Sequence, residues 1–360
     1  MKIATVDTAL VSVPLERPVI TPIHHITTVD NVLVTVRTDD GVTGIAYLWC
    51  FGVTRARVLA AMVADLARFA IGRDPRQTAA LWQTLWKENN FFGRAGVALI
   101  AQSALDTACW DIKGKAAGEP LWRLLGGEQR PLPVYAGGLF LNDSRDDIVA
   151  EARRYVAQGF RAMKMRTGAA RLADDIDRVG AIRDAIGPDV TLMVDVVQGW
   201  TPAQAIRAGR ELARFDLTWI EDPVAFDDLA GFAEVAAGLD IPVCGGENDY
   251  GLTGFARLLD GGCVDIVMPD LQRVGGVSEW MRVAALADAR RLRVTPHVFP
   301  EISVHLAAAV PNGFWLEYVP WWDVLFERVP ALADGCLSPP DAPGLGLAFA
   351  WDRIDGMRVQ

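Results

Sequence analysis

The sequence predicts an α/β barrel that follows an α+β segment, and two observations carry that prediction. First, five short apolar runs each end on an ionisable residue. They are Leu192-Met193-Val194-Asp195, Trp219-Ile220-Glu221, Val243-Cys244-Gly245-Gly246-Glu247, Ile266-Val267-Met268-Pro269-Asp270 and Val294-Thr295-Pro296-His297, with end-to-end spacings of 26, 26, 23 and 27 residues. A strand buried on both faces reads as a short apolar run, and a strand with its returning helix takes about 25–30 residues. The five residues therefore fall at the same point of five successive βα units. In a barrel that point is the C-terminal rim, where active sites lie. Second, roughly the first 125 residues read as strands and then helices without alternation, the pattern of an α+β unit. The 360 residues suffice for one barrel of about 250 residues and a second domain.

In chain order, residues 1–50 read as antiparallel strands. Asn31-Val32-Leu33-Val34-Thr35-Val36 is a β-branched run, Asp39-Asp40-Gly41 a turn, and Val42-Thr43-Gly44-Ile45-Ala46-Tyr47 the return; Asp-Gly between two such runs signals a hairpin. Residues 18–28, with His24 and His25, read as an irregular polar insertion, either a lid or a plain surface loop. Residues 54–123 carry helical i, i+3, i+4 periodicity in Ala-rich stretches. Strand and helix alternate from Pro131. Val134-Tyr135-Ala136-Gly137-Gly138 is strand one, residues 148–158 an amphipathic helix, and Ala162-Met163-Lys164-Met165-Arg166 strand two. The five runs above follow, and Phe314-Trp315-Leu316-Glu317-Tyr318-Val319 is the eighth strand. The last forty residues, rich in Pro and Gly and ending on a strand-like Met357-Arg358-Val359, are expected to pack back on the N-terminal part.

Composition narrows the function. With 51% hydrophobic and 22% charged residues the chain is ordinary globular protein. A net charge of −10 argues against nucleic acid or an anionic membrane as partner. Cys50, Cys109, Cys244, Cys263 and Cys336 form no CxxC pair, which disfavours a thiolate metal site. The N-terminus begins directly as a strand, without the apolar stretch of a signal peptide, and no uncharged apolar run reaches transmembrane length. A cytoplasmic enzyme is expected, assembled as a homo-oligomer.

The rim carries the chemistry. Carboxylates converging on one small volume need a neutralising cation. Asp195, Glu221 and Glu247, from adjacent strands, suit Mg²⁺ with water and substrate completing an octahedron, and the absence of Cys or His among them argues against zinc. A lone acid after a strand is more often a loop or helix-cap carboxylate, but three in succession at matched positions weaken that account. Asp270 beside His297 would fix the tautomer and raise the basicity of the imidazole, making it a general base; a satisfied core histidine is the plainer account of His297. Lys164 and Arg166, two apart on strand two, point the same way into the barrel mouth. They can be charge balance, substrate-carboxylate ligands or a base. Glu317 on strand eight, if protonated, could hydrogen-bond a developing enolate oxygen. Together these parts suggest removal of the proton next to a carboxylate and stabilisation of an enediolate.

Through these residues the sequence resembles the enolase superfamily and, within it, the mandelate racemase subgroup. The resemblance is carried by Val194-Asp195-Val196-Val197-Gln198, Trp219-Ile220-Glu221-Asp222-Pro223, Gly246-Glu247-Asn248, Met268-Pro269-Asp270, Gly275-Gly276-Val277 and His297-Val298-Phe299-Pro300-Glu301-Ile302-Ser303. Outside the barrel, Trp110-Asp111-Ile112-Lys113-Gly114-Lys115 and Leu124-Leu125-Gly126-Gly127 carry it too. It implies a modified TIM barrel, (β/α)₇β, under an α+β capping domain built from both chain ends: cap at residues 1–127, barrel at 128–325, and a C-terminal segment at 326–360 returning to the cap. It also implies Mg²⁺ on Asp195, Glu221 and Glu247, a His297–Asp270 dyad, and Glu317 as electrophilic partner. Substrate choice would lie in two capping loops, residues 18–28 and 48–52, making His24, His25, Trp49 and Phe51 the substrate-binding candidates.

One departure bears on the reaction. The family's strand-two signature is commonly Lys-x-Lys, with the second lysine a base, and here it is Lys164-Met165-Arg166. Arginine stays protonated far above neutral pH and is a poor base. Racemisation needs a base on each face of the α-carbon, whereas syn dehydration of a polyhydroxy acid needs one. The expected function is therefore dehydration of a sugar acid, a hydro-lyase reaction on a small carboxylate. A racemase or epimerase of a 2-hydroxy acid is the alternative, and a non-catalytic carboxylate-binding barrel is the rival outside enzymology.

Overall fold

The structure is a computed structural model that describes residues 1–20 and 25–359. The N-terminal part is an antiparallel sheet of β1 (Ile3–Ile20), β2 (His25–Thr38) and β3 (Thr43–Cys50) in that order. Three helices, α1 (Val53–Ala70), α2 (Thr78–Glu88) and α3 (Val97–Ala117), accompany it. Val32, Val34, Val36, Ala46 and Leu48 of the sheet bury against Leu59, Val63, Leu66, Ala101 and Leu105, as the alternation of β2 and the periodicity of α1 and α3 require. At Gly44 a side chain is excluded, because a Cβ would lie 2.1 Å from the Ala108 carbonyl oxygen.

Of the expected irregular insertion at 18–28, residues 18–20 and 25–28 are instead parts of β1 and β2, and residues 21–24 lie outside the described residues. Val19 pairs with Ile26 and Ile20 with His25, after a register shift from the Pro14–Thr28 pair. Residues 15–18 on β1 stand opposite a single residue of β2, so Pro18, which reads as the start of a loop, lies in a bulge with Glu16 and Arg17. A bulge tolerates proline because the displaced residues donate nothing to the ladder. Arg17 on this bulge reaches Asp143 at 2.9 Å and Glu151 at 3.4 Å, in the first βα unit of the barrel. Residues 48–52 are likewise less of a loop than expected, since β3 runs to Cys50.

The barrel strands are β4 (Leu132–Gly137), β5 (Ala162–Arg166), β6 (Thr191–Asp195), β7 (Leu217–Glu221), β8 (Val243–Gly245), β9 (Ile266–Val267), β10 (Arg293–Val294) and β11 (Leu316–Tyr318). They bond in the order β10-β9-β8-β7-β6-β5-β4-β11, every neighbouring pair parallel. A bridge from Val294 to Gly313, just ahead of β11, closes the ring. The Phe314 N–H donates to the Val294 carbonyl as part of that bridge, and the eighth strand spans only Leu316–Tyr318 of its apolar run. β12 (Cys336–Leu337) adds antiparallel to β4. Tyr135, Ala162, Met193, Trp219, Cys244, Ile266 and Met268 form one buried cluster contributed by successive barrel strands.

The chain end returns to the first sheet, where Arg358 bridges Val11 and the Val359 N–H donates to the Leu10 carbonyl at 3.0 Å. Met357 belongs to a 3₁₀ turn rather than a strand. No helix among the described residues is long and apolar enough to cross a membrane.

Candidate active site

Register places the first group of side chains. Arg166 pairs with Asp195 across β5 and β6, and Asp195 with Glu221 across β6 and β7, so the three sit abreast at the rim. Glu247 lies two residues beyond β8, past Gly246, whose φ of +118° turns the chain inward. Asp195, Glu221, Lys164 and Glu317 are almost wholly buried. Lys164 Nζ is 2.9 Å from Glu317 Oε1 and 3.4 Å from Asp195 Oδ2, and it donates to Glu221 Oε1. Arg166, a quarter exposed, pairs with Asp195. Trp219, two residues before Glu221 on the same strand face, donates from Nε1 to Glu221 Oε2 at 3.0 Å.

Burial opposes the Lys164 ammonium, but Glu221 and Glu317 outweigh it and raise the amine above its ordinary value. Burial alone would push Glu317 up. Lys164, His297 and Arg166 overcome that and hold it at about 2. Glu317 is thus a carboxylate here, accepting from the Val298 N–H at 3.2 Å, and it must first take a proton to donate to an enolate.

The second group lies beyond very short strands. Asp270 caps the turn Leu271–Val274, its Oδ1 accepting from the Gln272 and Arg273 N–H groups at 2.9 and 2.8 Å. That leaves Oδ2 for His297 Nδ1 at 2.7 Å. His297 Nε2 lies 3.3 Å from Glu247 Oε2. Burial disfavours the imidazolium, yet Glu247 and the Asp270 hydrogen bond outweigh it and raise His297 above its usual value. After His297 the backbone passes through Val298 and Phe299 at φ 43° and 54°. These are costly angles for such residues, and they bend the chain sharply at the base.

The structure therefore brings Lys164, Arg166, Asp195, Glu221, Glu247, Asp270, His297 and Glu317 together. It also places the Trp49 ring 6.3 Å from His297, with Phe51 5.3 Å farther along. His25 stands exposed on β2 and is not among the gathered residues; His24 lies outside the described residues. Among the described residues no three acid, imidazole or thiol groups stand in a metal-holding arrangement; Lys164, Arg166 and His297 each contact a carboxylate oxygen of the row.

Sequence reasoning missed three residues. Arg273 Nη1 contacts Asp270 Oδ2 at 3.0 Å and the Glu247 carbonyl at 3.2 Å, and its guanidinium lies 5.7 Å over Trp49. Its only signal was the i+3 spacing from Asp270. Asp222, pushed well up by burial and by Glu247, accepts from Asn248 Nδ2 at 3.1 Å; following Glu221 directly, it read as part of a motif rather than as a separate buried acid. Gln272 reaches out of the barrel altogether, to the backbone of Trp49.

Comparison with known proteins fits this arrangement. Residues 3–126 match the model of the mandelate racemase/muconate lactonizing enzyme N-terminal domain, and residues 147–353 that of the enolase C-terminal domain-like family. The chain is 38% identical to 3,6-anhydro-alpha-L-galactonate cycloisomerase of Streptomyces coelicolor, over 99% of both chains. It is 33% identical to L-talarate/galactarate dehydratase of Salmonella typhimurium, over 90% of this chain and 82% of that one. It superposes with a TM-score of 0.95 on the crystal structure of a racemase from Streptomyces coelicolor with bound magnesium, at 36% identity over 99% of this chain and 100% of that one. The chain belongs to the mandelate racemase/muconate lactonizing enzyme family of the enolase superfamily.

Proposed function

We propose that this protein is a magnesium-dependent lyase that removes the proton α to the carboxylate of a sugar acid and expels the β-hydroxyl. Asp195, Glu221 and Glu247 would hold the ion. They are hard oxygen donors on neighbouring strands, two of them in direct register, which suits Mg²⁺. When bound, magnesium supplies a Lewis acid for the substrate carboxylate.

The observation that carries the reading is the asymmetry of bases. Among the described residues His297 is the one imidazole at the rim, and it is oriented by Asp270 at 2.7 Å. Across from it Lys164 is committed to three carboxylates, and Arg166 is a guanidinium that cannot readily accept a proton. A single base can take the α-proton and, as imidazolium, return it to a leaving oxygen on the same face. Arg166 offers a planar fork to the substrate carboxylate or a hydroxyl.

A second reading keeps the same chemistry and changes only the leaving oxygen. If that oxygen belongs to a ring of the substrate, elimination opens the ring and the product is an isomer. The 38% identity over 99% of both chains to a cycloisomerase of an anhydro sugar acid favours giving this reading weight.

The test is ¹H NMR in D₂O with Mg²⁺ and a panel of C4–C6 sugar acids and their ring-closed forms. A 2-keto-3-deoxy acid from an open-chain substrate supports the dehydratase, and ring opening without loss of water supports the cycloisomerase. An inverted substrate with no keto acid would replace both with a racemase or epimerase. Binding without α-proton exchange would leave only the carboxylate-binding barrel.

A further inference from the structure

The Asp270–His297 contact joins two loops beyond short barrel strands, where one parallel bridge between the two residues, with the His297 N–H donating to the Pro269 carbonyl at 3.2 Å, carries the pairing past the strand ends. Their strands, β9 and β10, are two residues each, and the side chains stand three residues beyond them. Beyond that bridge, both loops are also tied to one short stretch of the cap. On β3, the Trp49 N–H donates to Gln272 Oε1 at 3.1 Å and Gln272 Nε2 donates back to the Trp49 carbonyl at 3.2 Å. Gln272 is also the residue whose N–H, at 2.9 Å, helps fix Asp270 Oδ1. Two residues earlier on the same strand face, the Tyr47 hydroxyl donates to Glu301 Oε1 at 2.6 Å. Glu301 is the second residue of the helix Pro300–Ala308, which begins three residues after His297. Tyr47, Gln272 and Glu301 are all nearly fully buried, and the Tyr47 ring packs 4.9 Å from Phe299, between the base and that helix.

We propose that residues 47–49 of β3 act as a splint across the two loops, with Tyr47, Gln272 and Glu301 as positioning residues that set His297 against Asp270. The splint rests on the reading of His297 as the base. The strained turn at Val298 and Phe299 explains why it is needed: a backbone held at unfavourable angles relaxes unless something outside it is fixed. The Tyr47 hydrogen bond and the Ser303 hydroxyl, which donates to the Val298 carbonyl at 3.1 Å, hold the two ends of that turn. Displacing a base by about an ångström can cost up to about a hundredfold in rate.

The experiment compares Tyr47→Phe and Gln272→Met in the full chain with a control, Trp110→Phe. The control removes another cap–barrel hydrogen bond, from Trp110 Nε1 to Ser278 Oγ at 2.8 Å, which touches neither loop. Each splint variant should lower kcat for α-proton exchange by about ten- to a hundredfold with KM changed less than about twofold. Each should also shift or broaden the low-field Nδ1–H resonance of His297. The control should lower the melting temperature by a similar amount with kcat and resonance unchanged. Equal kcat loss in the control, or an unmoved resonance and kcat in both splint variants, would overturn the splint; if one variant fails to fold, the other carries the same test. Exchange that persists in His297→Asn would instead overturn the base assignment, and with it the splint's catalytic role.

Discussion

The two sides of the rim are built differently. On the β5–β7 side, Arg166, Asp195 and Glu221 are strand residues paired in register, and Lys164 sits between carboxylates of three different strands. Sheet hydrogen bonding alone sets that geometry, and a one-residue slip would turn every one of these side chains away. On the β9–β10 side, Asp270 and His297 lie past the ends of minimal strands. One backbone bridge carries the pairing to these residues, and their side-chain contact is further set by a helical turn, by Arg273 and by the edge of another domain. On the proposed splint, altering the cap leaves the shape of the first side and shifts the second. Glu247 joins them, as a member of the acidic row whose Oε2 lies 3.3 Å from His297.

The largest effect should therefore come from the junction. Glu247→Gln keeps the shape of the side chain but removes the charge that both sides use. Mg²⁺ binding by calorimetry should be lost and α-proton exchange should fall to background, with an unchanged far-UV circular dichroism spectrum. A variant that still binds Mg²⁺ with parental affinity would show the acidic row to be complete without Glu247, and the two sides to be independent.

Arg166→Lys tests the first side on its own. Arg166 is paired with Asp195, so the shorter lysine loses the bidentate fork and should raise KM for the native substrate by about tenfold. It also restores Lys-x-Lys. Lys164 close by favours the neutral form of the new amine, which would place a second base opposite His297. Slow exchange with the opposite C2 epimer should appear, followed by ¹H NMR in D₂O. If the parent already exchanges both epimers, the rim has two working bases and the asymmetry disappears.

The same contrast decides what was legible in the sequence. Asp195, Glu221 and Glu247 could be read because a parallel barrel repeats its strand ends every 25 or so residues, and the repeat survives in one dimension. Asp270 and His297 could be read for the same reason, although what holds them could not. Gln272 and Trp49 are 223 residues apart, and Tyr47 and Glu301 are 254 apart. No local period links such pairs, and a glutamine after a cap residue looks like any helix-surface amide. The described part of residues 18–28 reads as loop because a proline in a bulge and a proline in a loop look alike in sequence, and only the partner strand distinguishes them. Glu317 stands on the eighth strand, as read, but its charge state depends on Lys164, which reaches it from two strands away around the ring.

The smallest effect concerns the acid buried on the cap-dependent side. Burial pushes Glu301 up to about 7, against the opposing hydrogen bond from Tyr47. Unfolded, the same carboxyl titrates near 4.5. Between those values the folded chain holds a proton that the unfolded chain has released, so this group's contribution is fully present below about pH 4.5 and is lost as pH rises through about 7. Asp106, also pushed up to about 7 by burial, acts in the same direction, whereas His305, pushed down to about 4 by burial, favours folding more as pH rises from about 4 to 6.5. Only the Glu301 part is removed by Glu301→Gln, which keeps the shape and an acceptor for the Tyr47 hydroxyl. Urea melts of parent and variant from pH 4.5 to 8 should therefore diverge, the variant gaining relative stability with rising pH by an amount approaching ~3 kcal/mol at most. The acidic row on the β5–β7 side is untouched, so Mg²⁺ affinity should not change. Parallel stability curves for the two proteins would mean that Glu301 is ionised at neutral pH, and that the Tyr47 contact is a charged hydrogen bond rather than a neutral one.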